Sequence, residues 1–212
     1  MKRIWCVLCV SLIAFAPMQM ALGDGEPAAS SPTSAGVASA AKNLKEAWPT
    51  TPAPAHQTRV KGAPNFGKLN AQIWRSGQPT REGYQSLAKM GLKTVVNLRE
   101  EFPQDKDLLP EGVRYVYIPI KDQHAPTDAQ AKQFIEVASN PENWPLLVHC
   151  HAGEGRAGVM SALVRHSLDG WDHDRIMEEV GNFRRNFSTA SMPSCQRTFI
   201  RNWEDTANLA LK

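Results

Sequence analysis

From about residue 70 onward the apolar positions switch between two periods, and the switching predicts a series of elements. AQIWR, Ala71 to Arg75, reads as a short strand ending in the turn SGQP. Thr80 then caps a helix through Lys89, with Tyr84, Leu87, Ala88 and Met90 near helical spacing and Gly91 as its stop. KTVVNL, 93–98, is a compact β-branched run of the kind that forms a buried strand. VRYVYIPI, 113–120, alternates and is rich in strand formers. After the loop KDQHAP, Thr127 and Gln130 have the spacing of a capping box. The helix they open carries Ala131, Phe134, Ile135 and Ala138 on one face, and Asn140-Pro141 ends it. PLLVHC, 145–150, is the next strand. Beyond Arg156, a stripe of Met160, Leu163, Val164 and Leu168 predicts an amphipathic helix closing at Gly170. Asp172 caps another, with Ile176, Met177, Val180 and Phe183 inward. A last helix is expected from about Pro193 to Leu209, burying Phe199, Ile200 and Trp203.

Strands alternating with helices imply an α/β fold, a central and mainly parallel sheet flanked by helices on both faces. In such sheets ligands gather at the carboxyl ends of the strands. Cys150 stands at one of those ends.

The N-terminal part has another character. Lys2 and Arg3 precede an apolar run from Ile4 to Ala16, and Ala21 and Gly23 form a small-residue site before Asp24. This is the layout of a secretory signal peptide, 1–23, and the run is short for a spanning helix. The expectation is an exported protein, periplasmic or secreted, the alternative being one tethered by an uncleaved segment. Residues 24–58 are rich in Ala, Ser, Pro and Thr, too apolar-poor to offset the entropy of ordering, and read as a disordered linker to a domain at 59–212. Cleavage takes the formal charge from +3 to +1, which gives no general attraction to nucleic acid or to an anionic membrane surface. It also leaves Cys150 and Cys195 as the remaining thiols, which is no disulfide framework. In an oxidising compartment a reactive thiol there is open to oxidation or pairing.

LLVHCHAGEGRAGVM, 146–160, holds the chemistry. A buried strand stops at His149-Cys150, a turn with Gly153 and Gly155 follows, and Arg156 opens a helix. A loop of inward backbone N–H groups on a helix N-terminus makes an anion site. Glycines allow positive φ and close approach. An arginine there can grip two oxygens of a tetrahedral oxyanion. Thiolates are favoured beside cations and helix N-termini, so a thiolate beneath a bound phosphate is a nucleophile aimed at phosphorus.

HCHAGEGRAG closely resembles the HCxxGxxR[ST]G signature of the cysteine-dependent protein tyrosine and dual-specificity phosphatases, and the resemblance runs over most of 64–190. NFGKLNAQIWRSGQP resembles the first strand of the atypical dual-specificity group of plants, fungi and bacteria, and KDQHAP resembles the superfamily's general-acid loop. The resemblance implies a tyrosine-phosphatase-like fold of the dual-specificity type. It implies a metal-independent, cofactor-free hydrolysis of phosphomonoesters through a phosphocysteine intermediate, on phosphoproteins or inositol phosphates; a monomer is expected, although no motif speaks to the oligomeric state. Cys150 takes the nucleophile's place, Arg156 the phosphate-binding arginine's and Asp122 the general acid's. His151, Ala152, Gly153, Glu154, Gly155 and Arg156 form the phosphate loop, with His149 and Arg75 in support. One position departs: Ala157 stands where the family has Ser or Thr, whose hydroxyl steadies the thiolate as it leaves phosphorus.

Other readings stand beside these. Asp122 follows a strand end in a loop that can swing over the pocket, whereas Asp128 reads as a helix-start residue and Asp105 and Asp107 as members of a polar loop. His149, Cys150 and His151 alternate in direction along the chain, so they do not converge on one metal ion. Glu154 argues against a heavily anionic ligand; Lys121, His124, Arg184 and Arg185 argue the other way if they converge, although Arg184-Arg185 reads rather as a solvated helix end. Cys195 is a half-buried helix-start residue or a disulfide partner for Cys150. A phospho-ligand binding module without turnover and a rhodanese-like sulfurtransferase remain as alternative functions.

Overall fold

The structure is a computed structural model and describes Trp48 and residues 53–184 and 192–203. The proposed signal segment, most of the linker, Arg185 and the end of the last predicted helix lie outside the described residues.

Among the described residues five strands form one sheet: β1 (Gly67–Lys68), β2 (Ile73–Ser76), β3 (Thr94–Arg99), β4 (Arg114–Ile120) and β5 (Leu146–His149), in the order β1-β2-β5-β3-β4. β1 is antiparallel to β2 and every other pair is parallel, which is the mainly parallel sheet expected. β5 is central, between β2 and β3, and the period-two alternation along it sorts its side chains to two cores. Leu147 joins Trp74 and Val95 on the face covered by α1 (Arg81–Lys89), where Tyr84 and Leu87 are buried. Leu146 and Val148 join Ile73 and Val96 on the other face, under α2 (Asp128–Ser139), α3 (Arg156–Ser167), α4 (His173–Asn182) and α5 (Ser194–Asn202).

The helix starts fall where the side chains dictate. Thr80 accepts from the Gly83 N–H, Thr127 and Gln130 close a capping box, and Asp172 accepts from the Arg175 N–H. α3 differs from its expected stripe. Every residue from Arg156 to Arg165 is buried, because the helix lies in the middle of its layer, packed by α2, α4 and α5 as well as by the sheet.

The edge of the domain also lies earlier than composition suggests. Trp48 is buried, donates from Nε1 to Asp169 at 2.6 Å and packs edge-on against Trp144. Ala55 is buried, and its N–H donates to Glu179 at 2.7 Å. A Pro- and Ala-rich segment can be held this way by a few polar anchors without contributing much apolar surface. Among the described residues no helix is long and apolar enough to cross a membrane.

Candidate active site

β5 ends at His149, and seven residues later α3 begins at Arg156. Between them the chain curls around a hollow of about 680 Å³ with Cys150 in its lining. Cys150 is 3% exposed, a sulfur on a floor rather than on a surface. His151, Ala152, Glu154 and Gly155 line the same hollow, facing Asp122 from beyond β4 and Gln196 from α5. The N-cap of α3 is Gly155, with no side chain capping its first amides. The N-terminal N–H groups and positive dipole end of α3 are therefore at the hollow, where an anion can use them.

Gly153 turns its back on this space. It has φ +73, and a Cβ on it would lie 2.4 Å from the Gly77 nitrogen, so no other residue fits. Its carbonyl accepts from Arg75 Nη2 at 2.7 Å. Arg75 is fully buried over the Phe183 ring, where desolvation pulls its pKa down to about 10, and it remains charged at neutral pH. Arg75 thus braces the loop from below, and Gly153 belongs to the brace rather than to the hollow's lining.

Arg156 is held from behind by a residue that no local motif marks. Its Nη1 and Nη2 donate to the two carboxylate oxygens of Glu101 at 2.8 and 2.9 Å, and Nη1 also donates to the Ile120 carbonyl at 3.0 Å. Burial works against the Arg156 charge, but Glu101 outweighs it and the guanidinium pKa is raised. The Arg156 hydrogen bonds in turn hold the Glu101 carboxyl far below the usual carboxylate range. Nε of Arg156 is buried with no partner among the described residues, which leaves one donor of a hollow-lining guanidinium uncommitted. Glu101 lies just past the carboxyl end of β3, the same end of the sheet as Cys150. The strand-end rule that singled out the cysteine points to it too.

Asp122 places Oδ1 3.1 Å from Arg156 Nη2, with its side chain 63% exposed. Its loop is tied down by α5: Gln196 Nε2 donates to the His124 carbonyl at 3.0 Å, and Cys195 Sγ donates to that of Gln123 at 3.4 Å. Gln196 is 1% exposed, and its Oε1 has no partner among the described residues. Nothing in the local sequence marks Gln196, since its position depends on α5 meeting two distant loops. Asp128 opens α2, as expected.

Asp105 overturns its reading as a polar-loop residue. It is fully buried and takes hydrogen bonds from Tyr84 at 2.6 Å and Gln78 at 2.5 Å, with His149 Nε2 at 2.9 Å. Burial alone would raise the Asp105 pKa; these three partners outweigh it and lower it. The same charge, after burial itself, pushes Tyr84 well above the ordinary phenol range. His149 therefore faces α1, while Cys150 belongs to the opposite core and His151 is exposed. The three neighbours diverge, and among the described residues no cluster of His, Cys, Asp and Glu is arranged to hold a metal ion.

Arg184 also departs from expectation. It is 6% exposed and lines the hollow, with Nη2 3.8 Å from Glu154 Oε2, rather than standing in solvent at a helix end. Lys121 and His124 are exposed and outside the lining. Cys195 is exposed rather than half-buried, and neither it nor Cys150 is in a disulfide.

The profile of the family described as DSP-PTPase phosphatase fused to NAD+ kinase matches residues 53–202. The Mycosarcoma maydis protein named as tyrosine-protein phosphatase OCA1 is 31% identical over 133 residues, covering 57% of this chain and 80% of that one. The inositol diphosphatase SIW14 of Saccharomyces cerevisiae is 26% identical over 66% of this chain and 51% of its own. The chain spans 66% of the OCA1 relative of Debaryomyces hansenii, about two thirds of its length. The crystal structure of the core catalytic domain of the PP-IP phosphatase SIW14, in complex with citrate, aligns with TM-score 0.61 and 25% identity over 72% of this chain and 93% of that one. That of P. aeruginosa TpbA in complex with pTyr shares the fold, with TM-score 0.60 and 24% identity over 77% and 97% of the two chains. With a profile matched over most of its length and a buried cysteine facing an arginine across the expected loop, the chain belongs to the DSP-PTPase family, cysteine-dependent phosphatases of the dual-specificity type.

Proposed function

We propose that the domain hydrolyses phosphomonoesters of the phosphoprotein or inositol phosphate class through a phosphocysteine, using no metal or cofactor. The observation that carries this is Arg156: locked by Glu101, it keeps Nε unpaired and buried at a hollow whose lining includes Cys150. A phosphate enters against the α3 amides and Arg156, displacing Asp122 from the guanidinium. The Cys150 thiolate attacks phosphorus, the S–P bond forms as the ester P–O bond breaks, and Asp122 gives its proton to the departing oxygen. Water then attacks phosphorus and loses a proton to Asp122, while Gln196 Oε1 accepts a hydrogen bond from its remaining O–H. The S–P bond breaks, and phosphate leaves with the thiolate restored. All these groups come from one chain, so the site needs no residue from a second copy, and the signal-like N-terminal layout supports export of the protein.

Turnover should persist in excess chelator, and Asp122→Asn should cost about 10²-fold in kcat on phenyl phosphate. The loss should be smaller on p-nitrophenyl phosphate, whose leaving oxygen needs little protonation. Equal losses on both esters would remove Asp122 as the acid, and loss of activity in EDTA would remove the mechanism.

Ala157 is fully buried, and its carbonyl accepts from Ser161 Oγ at 2.8 Å, so that hydroxyl is committed to the helix backbone. The leaving thiolate of the second step is then supported only by amides, dipole and Arg156. Phosphoenzyme should accumulate and give a burst of alcohol product in the first turnover. Ala157→Ser, which adds one small donor, should shrink the burst and raise kcat severalfold; wild-type progress curves without a burst would show that the first step limits instead.

A further inference from the structure

We propose that Glu154 makes this site selective for esters carrying a single phosphate and turns away inositol polyphosphates and pyrophosphates. The proposal rests on the phosphatase reading above. The hollow is about 680 Å³, room enough for a ring as well as for an aryl group, so volume does not discriminate between the two classes. Charge does. Besides Asp122, the proton donor of the proposed reaction, the charged residues in the lining are Glu154, Arg156 and Arg184, with the Cys150 sulfur beneath them.

Arg156 serves the phosphate that reacts. Arg184 is the cation that a second, neighbouring phosphate would need, and it faces Glu154 at 3.8 Å, the two side chains being 7% and 20% exposed. At that burial the Glu154 carboxylate is confined near the hollow instead of swinging into solvent, and salt screens it only partly. Each further phosphate on a polyanionic ligand therefore meets Glu154 with no surplus cation among the described lining residues. Repulsion of this kind separates ligands of equal fit. A phosphotyrosine-type ester in a peptide brings one dianion and escapes it.

The test compares kcat/KM on a singly tyrosine-phosphorylated peptide and on a diphosphoinositol polyphosphate, using the full chain and its Glu154→Gln and Glu154→Lys variants. Wild type should favour the peptide by about a hundredfold or more at low salt, and the gap should narrow as salt rises toward roughly 0.5 M. The polyphosphate-to-peptide ratio should climb about tenfold in Glu154→Gln, which removes the negative charge from beside Arg184, and further in Glu154→Lys. The ratio is the readout because Glu154 belongs to the binding loop and its replacement will alter both rates. Wild type using the polyphosphate as well as the peptide, or a ratio unmoved in the variants, overturns the proposal while leaving the phosphatase intact. No turnover of p-nitrophenyl phosphate by wild type would instead take down the phosphatase reading and this proposal with it. If the lysine variant does not fold, the near-isosteric glutamine variant decides alone.

Discussion

Cys150→Ser abolishes turnover of aryl phosphates, by roughly 10⁴-fold or more in kcat, while the protein stays folded and still binds inorganic phosphate. The size of the loss follows from what surrounds the position. A serine hydroxyl needs a base to become a nucleophile, and its neighbour His149 cannot serve. Nε2 of that ring is committed to Asp105 and Tyr84, and Nδ1 lies 3.4 Å from the Cys150 carbonyl, on the far side of the strand from the side chain. Only a group that is already an anion attacks phosphorus here, which a thiol supplies and an alcohol does not. Binding survives because the Arg156–Glu101 pair and the α3 N-terminus are untouched. Replacement of one buried atom by a slightly smaller one disturbs the core little. Steady-state rates of the two proteins, with circular dichroism and a phosphate titration of the variant, check the prediction; more than about 1% residual activity would dismiss Cys150 as nucleophile.

Cys150 and Arg156, the proposed nucleophile and phosphate ligand, were legible because the motif is local. The strand, the turn and the helix start follow one another in the chain, and each has its own signal: β-branched residues, glycine, then a helical stripe. The caps at Thr80, Thr127 and Asp172 were legible for the same reason. The groups that hold the site were not. Asp105 sits in a run of polar residues after Pro103 and has every local mark of solvent exposure; it is buried only because Gln78, Tyr84 and His149 arrive from three other segments to satisfy it. Glu101 reads as one charge in a charged turn until the fold sets Arg156 opposite it. Arg184 reads as a helix-end cation until the loop brings Glu154 within 3.8 Å. Polar residues show their burial in sequence only when their partners are near in the chain, and here the partners are tens of residues away. Apolar periodicity failed on α3, because a helix enclosed on all sides keeps an apparent stripe while its other faces are filled by small residues, by Val159, by Arg156 at its start and by Arg165.

The second of these arginines carries the largest stability effect expected in the domain. Arg165 is fully buried and donates from Nε and Nη2 to Glu179, from Nη1 to Asp169 at 2.6 Å and from Nη2 to the Leu69 carbonyl at 2.9 Å. Glu179 also accepts from the Ala55 N–H, so one carboxylate joins α3, α4 and the segment that leads into the domain. Glu179→Ala should cost about 3–5 kcal/mol, the range for removing one partner of a buried pair and stranding the other. In thermal unfolding this is a fall in Tm of about 10 °C or more. The effect should reach the active site, because Glu179 is the main charge opposing the desolvation of Arg75, which in turn braces Gly153. The variant should therefore lose kcat/KM at temperatures where it is still folded, and become more susceptible to proteolysis near Ala55. Replacing both partners by apolar residues, Arg165→Met with Glu179→Leu, should recover part of the stability. It should not recover all, since Asp169 then loses its Arg165 hydrogen bond and keeps the one from Trp48. A Glu179→Ala protein with unchanged Tm and unchanged kcat/KM would show that the cluster neither holds the fold nor supports the loop.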